Sequence, residues 1–336
     1  MARDDSENSE RTPFAEFVRI VGRGPGRSRH LTEAEAEAAM SRILAGDLEP
    51  EALGGFLVVM RYRKESAEEF AGFTRAARQG FAANTLKADL DWPSYADRHK
   101  QLPYFVLAAQ LLAGAGIQVL MHGLAGEGPA TTPRALAALG IAPSMDFNAA
   151  AEALDRQNFA YLPVEAFCPG LGRLFALRPV LGVRTPANTF ARMLNPANAP
   201  CQIQGVFHPT YLETHREASL LLGQRHLAVF KGGGGEVQCN PEKATRVFTL
   251  SDGMPGVEEW PALLAGQRHA WRDEVLDVER VRELWRGTLE LEGPVAAIVG
   301  TVAIALKMLG RADSHAASTD LAAAMWRERD RNRLTA

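Results

Sequence analysis

Cysteine is scarce in this chain: Cys168, Cys201 and Cys239 are the only three among 336 residues. They are widely spaced, which excludes a disulfide framework or a paired-cysteine zinc site and points to reduced, partly buried thiols. Long apolar runs are missing too. The best candidate, Val295 to Leu306, falls short of the roughly 20 residues of a membrane span and is followed by Lys307, so no membrane partner is expected. The first residues, MARDDSENSERTP, are polar and acidic and lack the apolar core of a secretion signal, so a cytoplasmic protein is the expectation. Nor is there an excess of positive charge. The balance of 37 Lys and Arg against 40 Asp and Glu leaves −3, which argues against an obligate nucleic-acid binder when taken globally.

Another absence is local. In Met121–Gly140, MHGLAGEGPATTPRALAALG, a strand-like run ends at His122-Gly123, a loop of Gly, Pro and Thr follows, and a helix opens at Pro133. Strand, small-residue loop and helix N-terminus form the usual anion cradle, with loop amides and the helix dipole aimed at a phosphate. Here the cradle holds no Lys, Asn or Ser and only one acid, Glu127. The architecture of a phosphate enzyme is present while much of its chemistry is missing.

Positive charge, though not in excess, is gathered. Between Phe17 and Thr32 the chain carries Arg19, Arg23, Arg27, Arg29 and His30 and no acid. Arg61, Arg63 and Lys64 lie close together, as do Arg98, His99 and Lys100. Arg173, Arg178, Arg184 and Arg192 follow one another without an intervening acid. Each cluster alone reads as a solvated surface; several acid-free stretches in one chain suggest a composed one.

The length suggests two domains. Thr32 with Glu35 forms a capping box before an alanine-rich helix, Leu53 to Met60 is helical, and Ser66 caps a helix reaching about Phe81. This gives an N-terminal helical domain over residues 1–87, whose numerous apolar faces suggest packing against a second subunit or domain. From residue 88 to 336 helices and strands alternate, which argues for an α/β domain. Val106 to Gly114, Pro133 to Gly140 and His208 to about Leu222 read as helices. Ile117 to Met121, Phe159 to Pro163 and His226 to Lys231 read as strands, the last running into Gly232–Gly235 and Glu236. An amphipathic helix (Trp271 to Arg286), an apolar helix (Val295 to Leu309) and a basic-ended helix close the chain. Gly232–Gly235 reads as a flexible turn or a phosphate cradle, Arg23, Arg27 and Arg29 as a mobile wrap or a connector, and Trp271, Trp285 and Trp326 as packed edges or base-stacking rings.

With these residues in view the chain resembles the anthranilate phosphoribosyltransferases of glycosyltransferase family 3, which share their fold with pyrimidine nucleoside phosphorylases. Four stretches carry the likeness: LTEAEAEAAMSRILAGDLEPEALGGFLVVMRYRKESAEEFAGF, AGAGIQVLMHG with RALAALG, LRPVLGVRTPANTFARMLNPA, and VAIALKMLGRADSHAASTDLA. The resemblance implies a small helical domain and a larger α/β domain of the nucleoside phosphorylase/phosphoribosyltransferase type. It also implies a vestigial substrate site at Asp97, His122, Gly123 and Arg178. The family's glycine-rich pyrophosphate loop aligns with PSYAD, Pro93 to Asp97, where only the Asp persists, and without glycines a backbone cannot approach a pyrophosphate closely. The family's Lys-His-Gly-Asn-Arg becomes Met121 to Ala125, and its Asp-Glu magnesium pair becomes Gly235-Glu236, leaving Glu236 as the one candidate metal ligand.

These departures, with PSY, PVEAFCP, HPTY and GGEVQCNP, resemble the divergent YbiB-type branch. That resemblance implies a homodimer that binds DNA or RNA with little sequence preference. The phosphate contacts would come from Arg23, Arg27, Arg29, Arg98, Lys100, Arg173, Arg178, Arg184 and Arg192, and no cofactor is expected. Two alternatives stand beside this reading: an active Mg²⁺-dependent phosphoribosyl or glycosyl transferase using phosphoribosyl diphosphate, and a dimeric scaffold.

Overall fold

The computed structural model describes residues 12–96, 100–266 and 268–334. Among the described residues no helix is long and apolar enough to cross a membrane. The chain divides into two compact units.

The first unit comprises the residues up to Ala82 together with Cys168–Leu194. It opens with helices α1 (Ala15–Gly22), α2 (Glu33–Ala45), α3 (Pro50–Arg63) and α4 (Ala67–Gln79). Both expected caps form: Thr32 and Ser66 accept from the amides of Glu35 and Glu69, whose side chains reach back to complete capping boxes. Glu69 does more. Its buried carboxylate also accepts from the Leu31 amide at 2.8 Å, which fixes the entry to α2. A Cβ on Gly72 would lie 2.3 Å from the Glu33 carbonyl, so α4 approaches α2 closely only because residue 72 has no side chain.

The boundary expected near residue 87 differs from the one the structure draws, because a later segment joins the helical unit. The reason lies in a run of rings. Phe14 packs on Phe56 at 5.3 Å, Phe56 on Phe73 at 6.5 Å, and Phe73 on Phe190 at 5.6 Å between centroids. Arg78 of α4 donates to the carbonyls of Met193 and Leu194, tying down the end of that segment.

The second unit, Ala83–Phe167 and Asn195–Ala336, is built on a seven-stranded sheet in the order β3-β2-β1-β4-β5-β6-β7. Its strands are β1 (Leu90–Ser94), β2 (Val119–Gly123), β3 (Phe159–Pro163), β4 (Cys201–Val206), β5 (His226–Lys231), β6 (Thr245–Ser251) and β7 (Met254–Trp260). The first five are mutually parallel, and β6 and β7 add an antiparallel edge. The strand order reverses between β1 and β4, the switch point where open α/β sheets leave a crevice beyond the carboxyl ends of their strands. Pro93 is tolerated inside β1 because pairing with β4 ends at Asp91, so its missing N–H leaves no gap there.

The two faces of the sheet differ. Leu90, Trp92, Val119, Met121, Ile203 and Phe230 point into the main apolar core with the helices Phe105–Gly114 and Glu292–Met308. The alternate residues Asp91, His122, Gln202 and Gln204 point the other way and are fully buried as well.

The sequence reading places β3 and β5 as observed, whereas β1, β4 and the β6–β7 hairpin lie outside it. The helix expected from Trp271 begins only at Glu279. Before it, Glu274 accepts from the Tyr104 hydroxyl at 2.8 Å and lies 2.9 Å from His269 Nε2, so residues 271–278 are held as turns. Trp285 and Trp326 are buried edge to face, with the Arg329 guanidinium 3.7 Å from the Trp326 ring, which leaves neither face open for a base. All three cysteines are buried and free, and burial pushes the Cys201 and Cys239 thiols up to about 11.

Candidate functional site

The carboxyl ends of β1 and β2 are where the resemblance places a phosphate loop. The segment after β1 is closed by the chain's own side chains. Tyr95 folds inward, fully buried, and its hydroxyl lies 2.8 Å from His122 Nδ1. The Ala96 amide donates to Glu236 Oε1 at 2.6 Å. Ser94 and Thr132 share a hydroxyl–hydroxyl hydrogen bond of 2.8 Å, which engages the first residue of the short helix Thr132–Ala138. A pyrophosphate loop works by offering backbone amides and small hydroxyls to an anion. Here the Ala96 amide and the Thr132 hydroxyl already have partners within the chain.

His122 is 0% exposed, inside the sheet rather than facing a ligand. Its Nε2 lies 3.3 Å from Asp91 Oδ2, which also accepts from Gln202 Nε2 at 2.6 Å. The chain of contacts continues from Gln202 to Gln204 and on to His215 Nδ1, crossing β2, β1 and β4 to the helix Leu212–Leu221. Gly123 has a packing role. A Cβ there would sit 2.0 Å from the Ser94 carbonyl, so the glycine lets β2 lie against the end of β1.

Glu236 is 2% exposed and anchored to the Ala96 amide. With Gly235 beside it, this position supplies a single carboxylate where the family has a pair. The Gly232–Gly235 loop is likewise turned on itself: Gly232 donates to Val206, Gly233 to Gln238, Gly235 to Gly232, and Glu236 to Gly233.

The basic residues in the helical unit fall into two groups. One group is engaged locally. Arg29 grips Glu35 with two hydrogen bonds of 2.6 and 2.7 Å, and this pairing with the Thr32 contacts holds the Glu35 carboxyl down at about 2. Arg173 donates to the Leu44 carbonyl in the last turn of α2, and Arg192 to the Asn188 carbonyl. These three have structural work that their positions in the sequence do not reveal. The other group faces solvent. Arg23 and Arg27 are exposed on a loop that is closed by hydrogen bonds from Arg27, Ser28 and Arg29 to Gly24 and Ile20, so it is a formed turn and not a connector. Arg63 donates to Ser28 Oγ, which sets this loop against the end of α3, where Lys64 is exposed. The exposed Arg23 and Arg27 are therefore brought near the exposed Lys64, with Arg19, Arg61 and Arg63 half-buried in the same segments.

Arg178 and Arg184 form a further pair. Burial lowers both guanidiniums, and the charge of Arg184 lowers Arg178 further, so two cations sit near each other in the same unit. In the α/β unit Lys100 is exposed. Arg98 and Asp97 lie outside the described residues. Of the vestigial set, His122 and Gly123 belong to the α/β unit and Arg178 to the helical one. The residues that the sequence reading left out are Asp91, Gln202 and Gln204. Their signal was polar side chains at every second position of short apolar runs, LDWPS and CQIQGV, which forces a buried network when both faces of a strand are covered.

Residues 16–80 match the helical bundle domain of the glycosyl transferase family, and residues 105–325 match its a/b domain. Anthranilate phosphoribosyltransferase of Thermus thermophilus is 30% identical over 283 residues, covering 81% of this chain and 84% of its own. The uncharacterized protein YbiB of Escherichia coli (strain K12) is 29% identical over 250 residues, covering 72% of this chain and 78% of its own. A crystal structure of anthranilate phosphoribosyltransferase from Thermus thermophilus superposes with a TM-score of 0.79 at 25% identity, covering 93% of this chain and 94% of that one. A Saccharomyces cerevisiae enzyme of the same name, in complex with PRPP and Mg, shares the fold with a TM-score of 0.76 at 17% identity, covering 96% and 94% of the two chains.

Proposed function

Because the chain belongs to glycosyl transferase family 3 as an anthranilate phosphoribosyltransferase homologue, we propose that it is a catalytically degenerate member that binds nucleic acid through phosphate contacts with little sequence preference. The single observation that carries this reading is the closure of the phosphate loop by Tyr95 and Glu236, which engage His122 and the Ala96 amide. A loop whose donors are already satisfied internally gains nothing by gripping a pyrophosphate, and releasing them would leave buried polar groups unpaired. The exposed Arg23, Arg27 and Lys64, with Arg19, Arg61 and Arg63 in the same segments, supply what phosphate binding without turnover needs. Across residues 12–32 and 58–64 the only acid is Glu16. Lys and Arg held on one face neutralise phosphates whatever the base sequence.

One observation favours a second reading, an active magnesium-dependent phosphoribosyltransferase: a relative 30% identical over most of its length bears that name. A pyrophosphate-release assay separates the two. With phosphoribosyl diphosphate, anthranilate and Mg²⁺ present, the protein is expected to release no pyrophosphate above the enzyme-free rate. Turnover that depends on both substrates would promote the transferase.

The same reading includes a homodimer formed by the helical unit. Tyr62 is 89% exposed and Val180 80% exposed, with Val58 and Val183 partly exposed beside them. Leu181 Cδ2 lies 3.8 Å from where a Cβ on Gly54 would stand, so α3 and residues 180–183 present one apolar face. Apolar faces of this kind mark association surfaces. The variant Tyr62→Asp with Val180→Asp is expected to sediment as a monomer while keeping its helical circular dichroism. An unchanged sedimentation coefficient would remove this face from the account.

A further inference from the structure

The carboxyl end of β4, beside the switch point of the sheet, carries a feature that phosphate contacts do not use. Phe207 follows β4 directly and is 53% exposed. A large aromatic ring is costly to leave in water. Its position is fixed from two sides. The His208 ring stands edge-on at 4.8 Å between centroids and 80°, and the Phe207 Cβ lies 3.2 Å from where a Cβ on Gly235 would be. Gly235 has a left-handed φ of 90°, so the loop that supports the ring depends on glycine there.

Lysines stand on the segments next to this ring. Val206 and Lys231 are register partners on β4 and β5, and Gly232 donates to the Val206 carbonyl at 3.0 Å, so the backbone of Lys231 ends its strand next to that of Phe207. Lys231 is exposed. Gln101 lies against Gly233, where a Cβ would fall 2.2 Å from its Nε2, and this brings the exposed Lys100 to the same loop. The loop amides of Gly232, Gly233 and Gly235 are bonded internally, so anions at this place meet lysine side chains and not a backbone nest.

We propose that Phe207 is a platform on which one unpaired base of a single-stranded nucleic acid stacks, with Lys231 and Lys100 contacting the phosphates on either side. The proposal rests on the nucleic-acid reading above and narrows it to single strands. In a duplex both faces of each base are covered by its neighbours, and only a free strand can offer a face to a protein ring. Stacking on an aromatic ring tolerates any base, which agrees with binding of low sequence preference.

The test uses the full-length protein and a labelled oligonucleotide containing 2-aminopurine, whose fluorescence is quenched on stacking, alongside the matching duplex. The wild-type protein is expected to quench the probe and to bind the single strand more tightly than the duplex. Phe207→Ala is expected to lose the quenching and about 10-fold in single-strand affinity, with duplex affinity unchanged. Phe207→Trp is expected to keep both quenching and affinity. Lys231→Ala is expected to weaken single strand and duplex alike and to lower the salt slope by about 1. If the wild-type protein binds both nucleic acids while Phe207→Ala binds the single strand equally well, the platform is wrong and the phosphate reading stands. If the wild-type protein binds neither at low salt, both fall together. Displacement of the strand by an equal concentration of a nucleoside monophosphate would overturn the strand assignment in favour of a mononucleotide site.

Discussion

Replacing Arg23, Arg27 and Lys64 together by alanine weakens oligonucleotide binding by about 10²–10³-fold near 0.1 M salt and lowers the slope of log affinity against log salt by about 3 units. Arg23 and Arg27 are exposed on the loop after α1 and Lys64 at the end of α3, and the hydrogen bond from Arg63 to Ser28 brings these segments together. Each neutralised phosphate releases counterions, so losing three contacts changes the salt dependence as well as the affinity, and the loss is the same for every sequence. Fluorescence anisotropy at several salt concentrations reads both quantities. Arg29→Ala, by contrast, removes the partner of Glu35 at the start of α2 and is expected to change the salt slope by less than any of the three.

The second large effect concerns stability. Asp91→Leu is expected to destabilise the α/β unit by about 3–5 kcal/mol, the scale of breaking a buried charged contact by removing one partner. Asp91 is fully buried, accepts from Gln202 at 2.6 Å and lies beside His122. Leucine would leave the Gln202 amide and the His122 ring nitrogen facing apolar atoms. At roughly 2–4 °C per kcal/mol for a domain of this size, the melting temperature should drop by about 10 °C, measurable by near-ultraviolet circular dichroism. A drop of less than about 2 °C would mean that the network contributes little and that His122 finds another partner.

Local chemistry was legible in the sequence wherever a residue acts on its own neighbours. Thr32 with Glu35 and Ser66 before Glu69 announce helix starts, and both boxes form. Phe159–Pro163 and His226–Lys231 are short apolar runs bounded by turn residues, and both are strands. The β6–β7 hairpin has a local signature too: Asp252-Gly253, both with positive φ, is the kind of pair that closes a tight two-residue hairpin. Other features had no local signature. Nothing near Cys168–Leu194 says that it completes the helical unit, because Phe190 acts through a ring more than a hundred residues away in Phe73. The same holds for the basic residues. Arg29, Arg173 and Arg192 look like Arg23 and Arg27 in sequence, and only the positions of Glu35 and of the Leu44 and Asn188 carbonyls distinguish them. The loss of the family's glycines at Pro93–Asp97 was plain from the residues, whereas the inward turn of Tyr95 onto His122 was not, since it depends on β1 and β2 being neighbours.

The most direct measurement of the central claim is fluorescence anisotropy of a labelled single-stranded oligonucleotide titrated with the protein at 50 and 200 mM salt. With six cations on α1, its following loop and the end of α3, the account predicts tight binding at the lower concentration and a loss of up to about 10³-fold at the higher. Absence of binding at 50 mM salt, or binding indifferent to salt, would contradict it.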